Sequence, residues 1–196
     1  MKHLFLGLTI AGSLLATALP TEASIVYYTT DLSGLNESTP TGSTGTGIVY
    51  VTIDDAAHTM RVEVSFSGLL SPTTNSHIHC CIDAPGNVGV ATPLAAFFPL
   101  GVLAGSMDVT LDTTLAASFA SGFIGSSGGT AAGAEAALFA GLSAGRAYFN
   151  IHTRAFPGSE IRGFLTQVPD RVPEPSTIAL LGFGLAGIVC GRRRAA

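Results

Sequence analysis

Apolar and polar residues alternate with a period of two through most of the middle of this chain. In one such run Val62, Val64 and Phe66 point to one side and Arg61 and Glu63 to the other, as in a strand with one buried and one solvated face. Other runs are rich in β-branched and aromatic residues and end in Gly, Pro, Asn or Asp clusters. Together these runs predict strands at 25–32, 48–53, 59–66, 76–82, 106–111, 146–152 and 160–167.

Helical periodicity is scarce by comparison. Residues 134–142 (AEAALFAGL) predict one short helix, with Gly141 and Gly145 available to end it. Residues 125–133 have the composition of a flexible linker, and residues 115–124 fit no single element. Several short strands with turn signals and one weak helix predict an all-β fold: an antiparallel β-sandwich or Greek-key barrel with at most one short helix.

The N-terminus has the three parts of a secretory signal peptide. A basic start at Lys2 precedes an apolar run over 4–19, and a small-residue site ends at Ala23. We therefore predict a signal peptide over 1–23, cleaved after Ala23. The alternative is an uncleaved membrane anchor, although the apolar run is short for a spanning helix.

The C-terminus has a second tripartite signal. A Pro-Glu-Pro motif precedes an apolar run, and an arginine cluster closes it. Arginines stay on the cytoplasmic side, so they would hold the preceding domain on the far side of the inner membrane, and the short run suits a transient span. The predicted parts are the domain (24–168), the linker (169–177), the hydrophobic sorting helix (178–190) and the basic tail (191–196). The motif residues are Pro173, Glu174 and Pro175, and the stop-transfer residues are Arg192, Arg193 and Arg194.

This tail resembles the PEP-CTERM sorting signal of Gram-negative bacteria. The resemblance implies recognition of the motif by an exosortase, transient contact of the C-terminal helix with the inner membrane, and delivery to the cell surface or extracellular matrix. A plain C-terminal tail anchor is the alternative, and it has the same topology.

The charge of the region between the signals excludes some partners. Residues 24–173 contain five arginines, no lysine and eleven acidic residues, a net charge of −6. Nucleic acids and anionic membrane surfaces are bound through clustered Lys and Arg. The sequence therefore predicts that the domain binds no nucleic acid.

Polar residues also alternate within two of the predicted strands. Tyr148, Asn150 and His152 share one strand face. His77 and His79 lie two residues apart on another strand, so their side chains project from the same face about 6.6 Å apart. If His152 supplies a third nitrogen, the set suits zinc or copper.

Two other interpretations of these residues remain open. The histidines can belong to a structural network, bonded to Asn150 and nearby backbone, with Glu160 paired to Arg162 or Arg146. The third interpretation is a ligand site without a metal. His58, in the predicted turn at 54–58, is expected to be a solvated loop histidine.

Cys80 and Cys81 directly follow the second histidine of the pair. They could add soft ligands to the metal set, form a strained disulfide between adjacent residues, or make an intermolecular bridge. Cys190 lies in the sorting helix, and processing would remove it.

Five blocks of the central region together resemble the CHRD domain, first described in chordin and widespread in exported bacterial proteins. They are LSG at 32–34, FSGL at 66–69, HIH at 77–79, AGRAYFNIHT at 144–153 and PGSEIRG at 157–163. Where this chain has Cys80, many members have a glycine. The resemblance implies an exported β-rich domain and no settled activity.

The sequence lacks a recognisable catalytic set. Neither a Gly-x-Ser-x-Gly nucleophile motif nor a phosphate-binding loop is present. We therefore expect a non-enzymatic binding or structural component of the cell envelope, whose partner is another envelope protein or a polysaccharide. The alternative is a metalloprotein, redox-active or not, that binds copper or zinc through His77, His79 and His152.

Overall fold

The computed structural model describes residues 25–168, in which nine antiparallel strands form one sheet that curls into a half-barrel. The strand order is β5-β4-β7-β8-β1-β2-β3-β6, and β9 pairs with β1 beside β8. The all-β antiparallel fold class is therefore confirmed. The strands are β1 (Ile25–Ser33), β2 (Thr46–Asp54), β3 (Thr59–Ser67), β4 (Thr73–Cys80), β5 (Val90–Pro93), β6 (Gly105–Asp112), β7 (Ala147–Thr153), β8 (Ile161–Phe164) and β9 (Thr166–Val168).

Both predicted targeting signals lie outside the described residues. This applies to the signal peptide (1–23), the Pro-Glu-Pro motif, the sorting helix (178–190), Cys190 and the arginine cluster. Within 25–168, every helix is too short or too polar to cross a membrane.

The alternating strands bury one face and leave the other open, as the sequence predicts. Val49 and Val51 on β2 face Val62 and Val64 on β3 in register, and all four are buried. The residues that alternate with these valines point to the opposite face, where Tyr50 and Arg61 are exposed. The core therefore lies on one side of the sheet.

Two α-helices cover part of the core, whereas the sequence predicts at most one. Helix α1 is Ser121–Ser126 and helix α2 is Ala131–Ser143. The prediction of a flexible linker over 125–133 is wrong, because α1 reaches Ser126 and the cap of α2 begins at Thr130. Thr130 Oγ1 accepts a hydrogen bond from the Gly133 amide, which fixes the start of α2.

Helix α2 extends beyond the predicted 134–142 at both ends, and it ends just before Gly145. Gly145, two residues after its last residue Ser143, has φ 67°, a left-handed conformation that favours glycine. Two single 3-10 turns, at Gly34–Asn36 and Ala116–Ser118, complete the helical content of the described region.

Pairing of β4, β7 and β8 brings the two polar sequence blocks together. His77 pairs with Asn150, and Asn150 pairs with Arg162 on the next strand. His79 pairs with Tyr148, and Asn75 pairs with His152. The histidines of the HIH block therefore share one face of neighbouring strands with Tyr148, Asn150 and His152, as expected when side chains alternate between the two faces of a sheet.

Candidate metal centre

Three histidines converge on one point of the β4–β7 face. Each of His77, His79 and His152 offers a nitrogen, and these nitrogens lie within 4.8 Å of one another. The rings of His77 and His152 are 4.9 Å apart between centroids, and those of His77 and His79 are 5.5 Å apart. The sequence predicted that His77 and His79 share a face, and the β4–β7 register adds His152.

Backbone carbonyls fix the tautomers of two of these rings. His79 Nδ1 lies 2.7 Å from the Val88 carbonyl oxygen, and His152 Nδ1 lies 2.8 Å from the Pro157 carbonyl oxygen. A carbonyl oxygen only accepts, so Nδ1 carries the proton in each ring and Nε2 carries a lone pair. This is how the outer shell of a protein metal site orients its histidine ligands.

The Nε2 atom of His79 is buried without a hydrogen-bond partner among the described residues. The side chain is 8% exposed. A buried polar atom with no partner costs stability, so it needs a physical explanation. An ion at the centre of the three histidines would supply the missing partner.

The third ring, His77, is held neutral. Its Nδ1 lies 3.1 Å from His152 Nε2. Burial, followed by the charges of His152 and His79, lowers the pKa of His77 to about 4. Burial also lowers the pKa of His79, against the opposing hydrogen bond to the Val88 carbonyl. Neutral imidazoles are the form that binds a metal.

Asn150 lies beside the three rings and is 3% exposed. Its Nδ2 lies 2.9 Å from His152 Nε2, and its Oδ1 is buried with no hydrogen-bond partner in the described part of the chain. The expected contact between a histidine and Asn150 is therefore present.

Tyr148 and Arg162 form the wall behind His79. The Tyr148 ring stacks on the His79 ring at 4.6 Å with an interplanar angle of 3°. The guanidinium of Arg162 lies 4.9 Å from the centre of the Tyr148 ring, as in a cation–π contact. Their stacking restricts the orientation of the His79 ring.

Arg162 is fully buried and ties together two loops that surround the site. Its guanidinium donates hydrogen bonds to the carbonyl oxygens of Asn36, Pro85 and Gly86 and to Asn87 Oδ1. Its charge is balanced by Glu37, 3.6 Å away. The second of these loops continues to Val88, whose carbonyl orients His79, so Arg162 positions the site indirectly.

The predicted pairing of Glu160 with an arginine is wrong. Glu160 is fully buried and accepts hydrogen bonds from Ser43 Oγ, the Leu70 amide and Thr153 Oγ1. Arg146 instead pairs with the exposed Asp83. Neutral donors can satisfy a buried carboxylate as well as a cation does, which local sequence does not reveal.

Cys80 and Cys81 are not part of the histidine cluster. They are joined in a disulfide, and their sulfur atoms pack under α2, close to Gly141 and 3.5–4.0 Å from the Ala137 carbonyl oxygen. Cys80 follows His79 on β4, so its side chain points to the opposite face. In this state neither residue has a free thiolate to donate to an ion at the three histidines.

His58 is also more than a solvated loop residue. Its ring is half exposed, yet Nδ1 lies 3.0 Å from both carboxylate oxygens of Glu135 on α2. The hydrogen bond with Glu135, and then the charge of that carboxylate, raises the pKa of His58. The turn after β2 is therefore attached to α2, away from the three histidines.

The histidine cluster fits a four-coordinate transition metal. Two nitrogens bound to one zinc ion at about 2.0–2.1 Å lie roughly 3.3 Å apart in a tetrahedral site. His77 Nδ1 and His152 Nε2 already have such a spacing, at 3.1 Å. The nitrogens that the three histidines offer all lie within 4.8 Å of one another. Imidazole nitrogen suits zinc and copper.

Sequence reasoning missed the groups that orient the cluster. The Val88 and Pro157 carbonyls are backbone atoms and have no sequence signal. Tyr148 has one, because it alternates with Asn150 and His152 on the same strand face. Glu37 has no such signal, since it contacts Arg162 from a loop more than a hundred residues before it in the chain.

Beside the cluster lies an open cleft of about 540 Å³. Its lining includes His79, Asn150 and Arg162, together with Glu37 and Tyr148. Solutes can therefore approach the buried edge of the cluster from this side.

Comparison with known families identifies two matches in the chain. The model of the CHRD domain matches residues 28–165, and the model of the PEP-CTERM protein-sorting motif matches residues 171–194. No curated protein and no solved structure matches the chain. The first match includes strands β2 to β8, most of β1 and all three histidines.

Proposed function

The chain belongs to the CHRD domain family and carries a C-terminal PEP-CTERM sorting motif, and from this premise we propose a non-enzymatic, metal-binding component of the bacterial cell envelope. The mature domain binds one zinc or copper ion through His77, His79 and His152. The motif implies recognition by an exosortase, export across the membrane, and a cell-surface or envelope destination.

One observation carries the metal-binding part of this proposal. The Val88 carbonyl holds the Nδ1 proton of His79, so its buried Nε2 lone pair faces the other two histidines without a partner. His152 likewise has its Nδ1 proton on the Pro157 carbonyl, and its Nε2 would exchange the contact with Asn150 Nδ2 for the ion. A network that served only packing would not need to leave His79 Nε2 buried and unpartnered. A bound ion would be the partner that His79 Nε2 lacks.

The hydrogen-bond partners of the histidines do not support nucleophilic catalysis. The four histidines of the described region contact backbone oxygens, Asn150, Glu135 or one another, and none of them bonds a serine, threonine or cysteine side chain there. Nucleophilic catalysis needs such a contact between base and nucleophile. The site is suited to holding an ion.

A second candidate function is a metal-free structural network, which the hydrogen bond between Asn150 and His152 favours. In this interpretation the domain contributes to the envelope only by binding another macromolecule. The histidines would then fix the β4–β7 pairing and take no part in ligand binding.

Elemental analysis separates the two candidates. The full chain is exported to the periplasm of a host that lacks an exosortase, purified, and dialysed with zinc or copper. We expect about one equivalent of bound metal, lost in the variant His77→Ala/His79→Ala/His152→Ala. The matched control, His58→Ala, removes the other described histidine and should keep the metal.

The outcome depends on folding as well as on metal content. If circular dichroism shows that the triple variant is unfolded, the single variant His77→Gln is used in its place. His77 is less buried than His79, so this variant should stay folded and bind less metal. A wild-type chain that takes up neither zinc nor copper contradicts the metal site. Unfolding of the variants would then favour the structural network.

A further inference from the structure

A second surface of the domain, remote from the histidines in the sheet, has the composition of a binding site. On the outer face of β1, β2, β3 and β6 lie three clefts of about 470, 330 and 490 Å³. The first two share Tyr50 and Glu63, and the last two share Ile48 and Ser65. They are therefore contiguous, and we call them together the outer trough.

Two tyrosines lie at one end of the outer trough. Tyr27 pairs across the strands with Thr52, and Thr29 pairs with Tyr50, so the two tyrosines are diagonal neighbours. Tyr50 is 38% exposed. Neither ring stacks on another aromatic residue within 25–168. Two aromatic rings are thus available to a ligand on the open face of the sheet.

The charged side chains of the outer trough include one arginine that forms ion pairs with its neighbours on the sheet. Arg61 donates two hydrogen bonds to Asp108, at 2.8 and 2.6 Å, and contacts Glu63 at 2.9 Å. Asp31 lies at the far end of the trough. Two carboxylates therefore contact Arg61 and a third lies apart from it, so the trough has three acidic side chains and one basic one.

Hydroxyl groups line all three clefts as well. Thr52 lines the first cleft, Ser65 and Ser106 line the second, and Ser67 lines the third. Such a surface combines aromatic faces with many donors and acceptors of hydrogen bonds, arranged across four strands, or about 14 Å. The arrangement suits an extended ligand with many hydroxyl groups.

We propose that the outer trough binds a neutral polysaccharide chain. Sugar rings would stack on Tyr27 and Tyr50, and their hydroxyls would bond to Glu63, Asp108 and the serines. The excess of carboxylates repels acidic polysaccharides and nucleic acids, which need cationic surfaces. It likewise disfavours an anionic lipid surface. This site goes beyond the proposed metal binding and does not depend on it.

The experiment is retention on a defined panel of polysaccharides. The full chain, exported and purified as above, is sedimented with insoluble cellulose and curdlan and titrated with soluble dextran and laminarin, all neutral. Alginate serves as the acidic comparison. We expect binding to at least one neutral member, and Tyr27→Ala/Tyr50→Ala should weaken it by about tenfold or more.

Matched variants keep the test interpretable. Tyr27→Phe/Tyr50→Phe preserves both ring faces and should bind within about threefold of the wild type. Chelation of metal should leave binding unchanged. Failure to bind any neutral member, equal binding by the alanine variant in its folded form, or tighter binding to alginate would each overturn the proposal. If the alanine variant unfolds, Tyr50→Ala alone takes its place.

Discussion

At the scale of single residues, position on a strand face matters more than residue type. His79 and Cys80 are neighbours on β4, yet His79 faces the cluster while Cys80 packs under α2. Both residue types are common metal ligands, so the sequence alone made both of them candidates for the same metal site. The alternation of side chains along a strand separates them.

Asn150 offers a residue-scale prediction. Its Nδ2 lies 2.9 Å from His152 Nε2, and its Oδ1 is buried without a partner in the described chain. The substitution Asn150→Asp supplies a charged oxygen donor there, so we expect zinc to bind about tenfold tighter, measured by competition with a chelator. The metal-free variant should be less stable, since a carboxylate cannot donate to His152.

Asn150→Ala is the control for this prediction. It removes the oxygen without adding charge, so it should not bind zinc more tightly than the wild type. Equal or weaker zinc binding by the aspartate variant would show that Asn150 only orients His152.

At the scale of elements, close packing of α2 on β4 depends on one glycine. A Cβ at Gly141 would collide with the sulfur atoms of Cys80 and Cys81. Gly141 was considered from sequence as a helix terminator, whereas it lies inside α2. Its role is close approach between two elements, which local propensity does not describe.

Two glycine substitutions should therefore have opposite effects. Gly141→Ala overpacks the contact with the disulfide and should lower the free energy of unfolding by about 1–3 kcal/mol. Gly125→Ala in α1 meets open space and should raise it by about 0.5 kcal/mol. Urea unfolding of the wild type and both variants measures the two changes in the free energy of unfolding. A neutral Gly141→Ala would contradict the close contact.

The attachment of α2 to the β2–β3 turn should depend on pH. Glu135 raises the pKa of His58 above 6.5, with smaller contributions from Asp55 and Asp112. Protonated His58 therefore stabilises the fold. Its contribution is fully present below pH 6.5, the pKa of the unfolded state, and is lost as the pH rises through the folded pKa.

His58→Asn tests this dependence, because asparagine tolerates the positive φ of 52° at this position and does not titrate. The difference in melting temperature between wild type and variant should be largest near about pH 5.5 and shrink by about pH 9. A difference that is constant over this range would mean that the contact with Glu135 is not ionic.

At the scale of the whole molecule, the two proposed sites lie on different parts of one sheet. The histidines belong to β4 and β7, near one end of the strand order, and the outer trough belongs to β1, β2, β3 and β6 at the other. β8 lies between the two sets of strands and carries Arg162, whose bonds fix the loops around the histidines. A metal ion and a polysaccharide can thus bind together.

Sorting is a property of the whole chain. In cells with the cognate exosortase, Glu174→Ala disrupts the Pro-Glu-Pro motif and should leave unprocessed protein in the inner-membrane fraction. Thr177→Ala, outside the motif, should be processed as the wild type is. Fractionation and intact mass measure both variants. Normal processing of Glu174→Ala would contradict recognition through this motif.

The sequence by itself determined the features that depend on local order. Strand alternation placed His77 with His79 and Asn150 with His152, because successive side chains point to opposite faces. It also predicted the all-β class and the short helix. The linear sorting motif was recognisable from the sequence without any fold.

Only the tertiary structure decided which of these residues meet. The β4–β7 register places Asn75 opposite His152, and loop backbone at Val88 and Pro157 fixes the ring tautomers. The partner of Arg162 is Glu37, and Glu160 has neutral donors. These contacts join residues far apart along the chain, and their geometry depends on strand pairing and loop paths that no local pattern encodes.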